Sequence, residues 1–255
     1  MYLVGFLAAW WLGHRRVDRL GGSLDAQRVD DLLFYCILGV VLGGRLGYVV
    51  FYQTSELLRN PLYLLRVWEG GMSFHGGLLG VILAEWLFAR RQGLRFFQIT
   101  DFVAPLVPIG LGVGRIGNFI NGELWGRPTD LPWGVQVPCM RFPEHCADLA
   151  PDALWSLPLH PSQLYEATLE GLGLFLLLWL FSARPRPVMA VSGLFLLAYG
   201  VVRFLVELVR QPDPQLGYLA FNWLTMGQIL SLPMLIGGLL LLGLAYRRRQ
   251  GQEPG

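Results

Sequence analysis

Arg45, Arg115 and Arg203 are the residues whose placement calls for chemistry, because each stands inside a long apolar run. A charged side chain at membrane depth costs about 3 kcal/mol on insertion scales, so such residues are rare and usually face a polar cavity. One arginine alone can snorkel to the headgroups. Three at one depth instead suit a phosphate, because a guanidinium fork can hold two of its oxygens at once. His75, in Phe74-His75-Gly76-Gly77, is either a buried hydrogen-bonded histidine or, level with the arginines, a general base. Asn118 and Glu123 follow Arg115 within Gly114–Gly126 and add polar groups to a glycine-rich backbone. Glu207 lies one turn after Arg203 and can simply neutralise it. Arg210 is one turn further, before the stop Gln211-Pro212-Asp213-Pro214.

The elements that must position these residues are membrane helices. The chain has 255 residues, 54% of them hydrophobic and 15% charged. With a mean hydropathy of +0.47, it is too apolar for a soluble domain of this length. A bilayer core of about 30 Å needs roughly 20 apolar residues in a helix. Six runs qualify: Leu32–Tyr52, Met72–Ala89, Phe102–Ile120, Leu164–Phe181, Val188–Val209 and Met226–Tyr246. A seventh, Met1–Gly13, covers only about 20 Å and reads as the second half of a span whose beginning is missing. The predicted fold is therefore all-α and polytopic, with seven transmembrane helices, the first truncated. It is expected to form a single membrane-embedded domain over residues 1–255.

Charge sets the expected orientation. All 20 basic residues are arginine. Twelve fall in one set of loops, around Arg15, Arg90, Arg184 and Arg247; five fall in the other: Arg59, Arg66, Arg127, Arg141 and Arg210. The positive-inside rule puts the larger set in the cytoplasm, the N-terminus outside and the C-terminus inside. The three remaining arginines sit on helices running outward, each about 20 Å from the cytoplasmic face. His75 begins a helix of opposite direction and reaches the same outer level.

Residues 121–161, rich in Pro, Trp and Asp, form an expected extracytoplasmic cap. Cys139 and Cys146 lie there on the oxidising side, where a disulfide and two separate thiols are both compatible with their spacing. No cysteine or histidine spacing suits a metal, so none is expected, nor is any nucleic-acid partner. The basic cluster follows the first apolar run, which is not the order of a cleavable signal peptide. Gly43–Gly47, Gly76–Gly80 and Gly110–Gly114 have the small-xxx-small spacing of close helix packing. Glu85, inside a span, has no evident partner, and Ser162 reads as the N-cap of a helix with Glu166 in its first turn.

Gly114-Arg115-Ile116-Gly117-Asn118-Phe119-Ile120-Asn121-Gly122-Glu123-Leu124-Trp125-Gly126 resembles the signature of bacterial prolipoprotein diacylglyceryl transferases. The resemblance extends to Gly43–Tyr48, Gly71–Gly77, His160–Glu166 and Tyr199–Phe204, in that order along essentially the whole chain. Family members carry a leading arm and a complete first helix, which this chain lacks, and the stretch Pro138–Leu157 matches nothing in the family pattern.

The resemblance implies a seven-span enzyme of the bacterial cytoplasmic (inner) membrane. Such an enzyme moves the diacylglyceryl group of phosphatidylglycerol to the lipobox cysteine of a prolipoprotein signal peptide, without metal or soluble cofactor. Arg115 and Arg203 are then the expected charge stabilisers and His75 the expected base. Asn118, Glu123 and Gly126 lie at the headgroup, and Arg45, Tyr48, Tyr199, Glu207 and Arg210 line the pocket. Both substrates reach such a site from the membrane lipids. A secondary transporter for an anionic or lipid substrate is the alternative, since it too would place arginines in a membrane cavity.

Overall fold

Helices make up every regular element of the described residues, and the all-α expectation holds. The computed structural model describes residues 2–20, 24–150, 152–211, 217, 219 and 223–250. In chain order the helices are α1 (Tyr2–Leu20), α2 (Ala26–Tyr52), α3 (Thr54–Arg59), α4 (Phe74–Arg91), α5 (Phe96–Val103), α6 (Val107–Asn121), α7 (Ser162–Glu166), α8 (Leu174–Phe181), α9 (Ala190–Val206) and α10 (Met226–Gln250). A π-helical turn, Ala167–Gly173, joins α7 to α8. Three helical stretches are long and apolar enough to cross a membrane: Ala26–Tyr52, Ser162–Phe181 and Met226–Arg248. The broken pair of α5 and α6 makes a fourth candidate. These spans are those of an integral membrane protein.

The helix boundaries differ from the apolar runs for local reasons. Asp25 caps α2, its carboxylate accepting from the Arg28 amide at 2.8 Å, so the helix starts before the apolar stretch does. The predicted single span Phe102–Ile120 is interrupted between Val103 and Val107. Pro105 and Pro108 explain the break, because a proline ring clashes with the preceding turn and removes a helical donor. Ser73 caps α4, accepting from the Gly76 amide at 3.3 Å. Ser162 is not the cap expected of it. It is the first residue of α7, and its hydroxyl donates to the Leu124 carbonyl at 2.8 Å.

The chain divides into two compact units, Trp10–Val103 and Met1–Ala9 with Ala104–Gly255. Within the first, α2 packs on α4 through facing glycines. A Cβ built on Gly80 would lie 2.0 Å from the Gly39 carbonyl oxygen, and one on Gly76 would lie 2.3 Å from that of Gly43. These neighbours are backbone atoms and cannot swing aside, so the glycine spacing is a packing device here. Gly80→Ala should cost about 1–3 kcal/mol by overpacking. Thermal unfolding in detergent reads it, and an unchanged Tm would show that the helices separate freely.

In the second unit, α9 packs on α10, and α6 packs on the π turn. A Cβ on Gly171 would lie 2.7 Å from the Gly112 Cα. The described residues of the segment 121–161 form no strands, only isolated bridges such as Pro128 with Leu159 and Pro138 with Trp155. Trp125, Val137 and Leu159 form its small core, with Phe119, Val135 and Phe142 against them. Cys139 and Cys146 are joined in a disulfide, which resolves the alternatives left by their spacing. The loop that it closes carries Phe142, whose ring packs against Gly122 at the C-terminus of α6. Closing so short a loop stabilises by about 2–3 kcal/mol in the chain-entropy account. Reduction should therefore speed proteolytic nicking between Cys139 and Cys146. Equal nicking rates with and without reductant would contradict this.

Candidate active site

α6 carries Arg115 one turn after Gly112, where the close contact with Gly171 brings α6 against the π turn. α7 and that turn carry Glu166 and Glu170, and α9 carries Tyr199 and Arg203. Glu207 and Arg210 follow α9 directly. These elements bring three guanidiniums onto three carboxylates. Arg115 approaches Glu166 with Nε at 3.2 Å and Glu170 with Nη2 at 3.5 Å. The Arg203 Nη1 donates to Glu166 and lies 3.9 Å from Glu170, while its Nη2 meets Glu207 at 3.0 Å. Arg210 meets Glu166 through Nη1 at 3.2 Å and Glu207 through Nε at 3.8 Å.

The layering decides what the cluster can do. Glu166 and Glu170 are fully buried, whereas the side chains of Arg115, Arg203 and Arg210 keep 18%, 17% and 11% of their surface. The carboxylates thus stand behind the guanidiniums and hold them. Each guanidinium keeps one nitrogen bonded to no described residue: Nη1 of Arg115, Nε of Arg203 and Nη2 of Arg210. Fixed donors with spare N–H groups are the equipment for holding an oxyanion. Tyr199, stacked on Phe195 at 5.9 Å, lies within electrostatic reach of Glu170, Arg203 and Arg115.

The residues after α6 run past this cluster. Glu123 is exposed, and its carboxylate accepts from Asn118 Nδ2 at 3.0 Å and from Asn121 Nδ2 at 3.4 Å. Gln163 holds its backbone carbonyl through the side-chain amide. Gly126 bridges to Arg210, and a Cβ there would lie 2.6 Å from the Val209 carbonyl oxygen and 2.7 Å from the His160 Cβ. Only glycine lets the chain pass so close to the segment bearing Arg210. Next to it, the Arg127 Nε donates to the Arg210 carbonyl at 2.8 Å.

The other expected site residues belong to the unit Trp10–Val103. Arg45 is buried and spends its donors on backbone: Nε to Leu64 at 3.2 Å, Nη1 to Gly70 at 2.6 Å and Nη2 to Tyr63 at 2.7 Å. It ties down the two short 3₁₀ turns after α3, Pro61–Leu65 and Val67–Glu69. Tyr48 stacks on Tyr52 at 5.7 Å and covers Gly71. His75 is exposed in the first turn of α4, edge-on to Phe74 at 5.6 Å, and hydrogen-bonds to no described residue.

A family profile described as prolipoprotein diacylglyceryl transferase matches residues 1–244. The chain belongs to this family. It is 56% identical to the phosphatidylglycerol–prolipoprotein diacylglyceryl transferase of Pseudomonas fluorescens (strain Pf-5), over 97% of this chain and 88% of the relative. It is 57% identical to the protein of the same name from Azotobacter vinelandii, over 97% and 89%. The corresponding protein of Oleidesulfovibrio alaskensis is 57% identical over 98% and 88%. These relatives support a diacylglyceryl transferase and lend nothing to the transporter alternative.

Sequence reasoning about this member of the diacylglyceryl transferase family read Glu166 only as an acid in the first turn of a helix and passed over Glu170. A signal was present: two carboxylates four residues apart at the head of an apolar run are as costly as the arginines and need partners. Glu85, expected inside a span with no evident partner, is buried in α4.

Proposed function

We propose that the chain transfers the diacylglyceryl group of phosphatidylglycerol to the thiol of the lipobox cysteine of a prolipoprotein signal peptide. The single observation that carries the phosphate-binding role is the triad of guanidiniums, each braced by buried carboxylates and each with a nitrogen to spare. The sulfur attacks the glycerol carbon of the lipid, forming the thioether. The bond from that carbon to the phosphate oxygen breaks, and glycerol phosphate leaves with the electron pair. Negative charge grows on the departing phosphate, where Arg115, Arg203 and Arg210 stabilise it in a low-dielectric setting. Gly114 supports close approach, because no described atom beyond its own helix turn lies within 4 Å of the position of its absent Cβ.

Thiolate is the reactive form of the nucleophile, and His75, exposed and hydrogen-bonded to no described residue, takes the thiol proton. Asn118 and Glu123 bind the headgroup hydroxyls, and Tyr199 lines the phosphate region. Arg45 and Tyr48 hold the stretch 60–71 in shape for substrate entry. The chain crosses the bacterial inner membrane seven times, N-terminus outside and C-terminus in the cytoplasm. The arginine distribution supports this orientation. So does the Cys139–Cys146 disulfide in segment 121–161, because disulfides persist on the oxidising side.

The test uses the purified chain, phosphatidylglycerol vesicles and a lipobox peptide. The expected product is a peptide heavier by one diacylglyceryl group, with one glycerol phosphate released per peptide. Lipid that crosses the bilayer without any modified peptide would instead favour transport.

A further inference from the structure

The arginine cluster is already neutral before any substrate arrives. Arg115, Arg203 and Arg210 face Glu166, Glu170 and Glu207, three charges against three. A phosphodiester brings one more negative charge into a largely buried site. A buried charge without a partner costs several kcal/mol, and such a group neutralises by taking a proton in preference to staying ionised.

Geometry selects the group that does so. Glu166 touches all three guanidiniums, with Oε1 held by Arg203 and Arg210 and Oε2 at 3.2 Å from Arg115. Glu207 has Arg203 at 3.0 Å and accepts from the Thr225 hydroxyl at 3.0 Å. Glu170 is the least compensated of the three. Each carboxylate has one buried oxygen without a hydrogen bond: Glu166 Oε2, Glu207 Oε2 and Glu170 Oε1. The first two have a guanidinium nitrogen at 3.2 and 3.0 Å, whereas Glu170 has its nearest guanidinium nitrogens at 3.5 Å from Oε2 and 3.9 Å from Oε1. It cannot swing out to water, since its side chain is fully buried beside Gly171 in the π turn. The titratable and charged groups facing it are Arg115 from α6, Glu166 from α7, and Tyr199 and Arg203 from α9; α8, which packs on the same turn, has none.

We propose that binding of the anionic phospholipid headgroup is accompanied by uptake of one proton, taken from the buffer and held on the carboxyl of Glu170. The proton restores the charge balance that the phosphate upsets and lets all three arginines keep both their carboxylate brace and their hold on the lipid. The inference rests on the phosphate-binding role given to the arginines above. Affinity for the headgroup then falls about tenfold per pH unit wherever uptake is complete.

Calorimetry of short-chain phosphatidylglycerol binding to the full chain in detergent, run in two buffers of different ionisation enthalpy, measures the uptake. The expected result is close to one proton per lipid for the wild type. Glu170→Gln, which is permanently neutral and nearly isosteric, should bind the lipid with uptake close to zero and with little pH dependence. Binding by the wild type without buffer dependence overturns the proposal, whatever the variant does. Equal uptake by wild type and Glu170→Gln overturns the assignment to Glu170. Absence of lipid binding in every buffer is a different outcome, because it removes the phosphate-binding role itself and the proposal with it.

Discussion

Arg115→Lys should lose nearly as much diacylglyceryl transfer as Arg115→Ala, each falling about 10²–10³-fold, the loss typical of removing one preorganised oxyanion donor. The arginine engages Glu166 through Nε and Glu170 through Nη2, which leaves Nη1 for substrate. These three nitrogens lie in one rigid plane, so holding two of them aims the third. A lysine ammonium is a single point on a flexible stem. It can pair with one carboxylate, but it cannot then present a fixed donor elsewhere. The readout is transfer rate at matched amounts of folded protein. A rate for Arg115→Lys near that of the wild type would reduce Arg115 to a source of positive charge.

Glu166→Gln should be the most destabilising substitution in the cluster, at about 3–5 kcal/mol, because it breaks a buried ion network from one side. Glu166 is the one carboxylate shared by Arg115, Arg203 and Arg210. Glutamine keeps the volume but offers one carbonyl oxygen where two charged ones stood, and it leaves a guanidinium uncompensated. Removing a cation as well should restore part of the balance. The double variant Glu166→Gln, Arg210→Gln is therefore expected to recover stability without recovering activity. Thermal unfolding in detergent gives both numbers. A Glu166→Gln protein as stable as the wild type would show that the network does not brace the arginines.

The arginines were legible in the sequence for an energetic reason. A charge within an apolar run is costly enough to need a purpose, so Arg115 and Arg203 stood out without any structure. The glycine spacing of α2 and α4 was legible for a steric reason, since few other uses exist for glycines repeated on one helix face. The carboxylate brace was harder to see. Glu166 sits where a helix start also accounts for an acid, and its partners come from residues as distant as 115 and 210. Arg45 shows the limit from the other side. It shares the apolar setting of Arg115 and Arg203, yet its partners are three backbone carbonyls of a stretch about 20 residues downstream, which no local pattern announces. The break between α5 and α6 was visible as Pro105 and Pro108. An apolar run that continues through prolines conceals it, because hydropathy does not register backbone geometry. The disulfide was a matter of backbone approach, which a separation of seven residues leaves open.

The most direct test is whether the cluster recognises phosphate. The affinity of the full chain for short-chain phosphatidylglycerol is compared with that for the matching diacylglycerol, which lacks the phosphate and headgroup. Arg115→Ala, Arg203→Ala and Arg210→Ala are measured alongside. The expected result is a clear preference of the wild type for the phospholipid, weakening with salt, and reduced in each variant while diacylglycerol binding stays unchanged. An undiminished preference in all three variants would contradict the account, because the phosphate would then be held elsewhere.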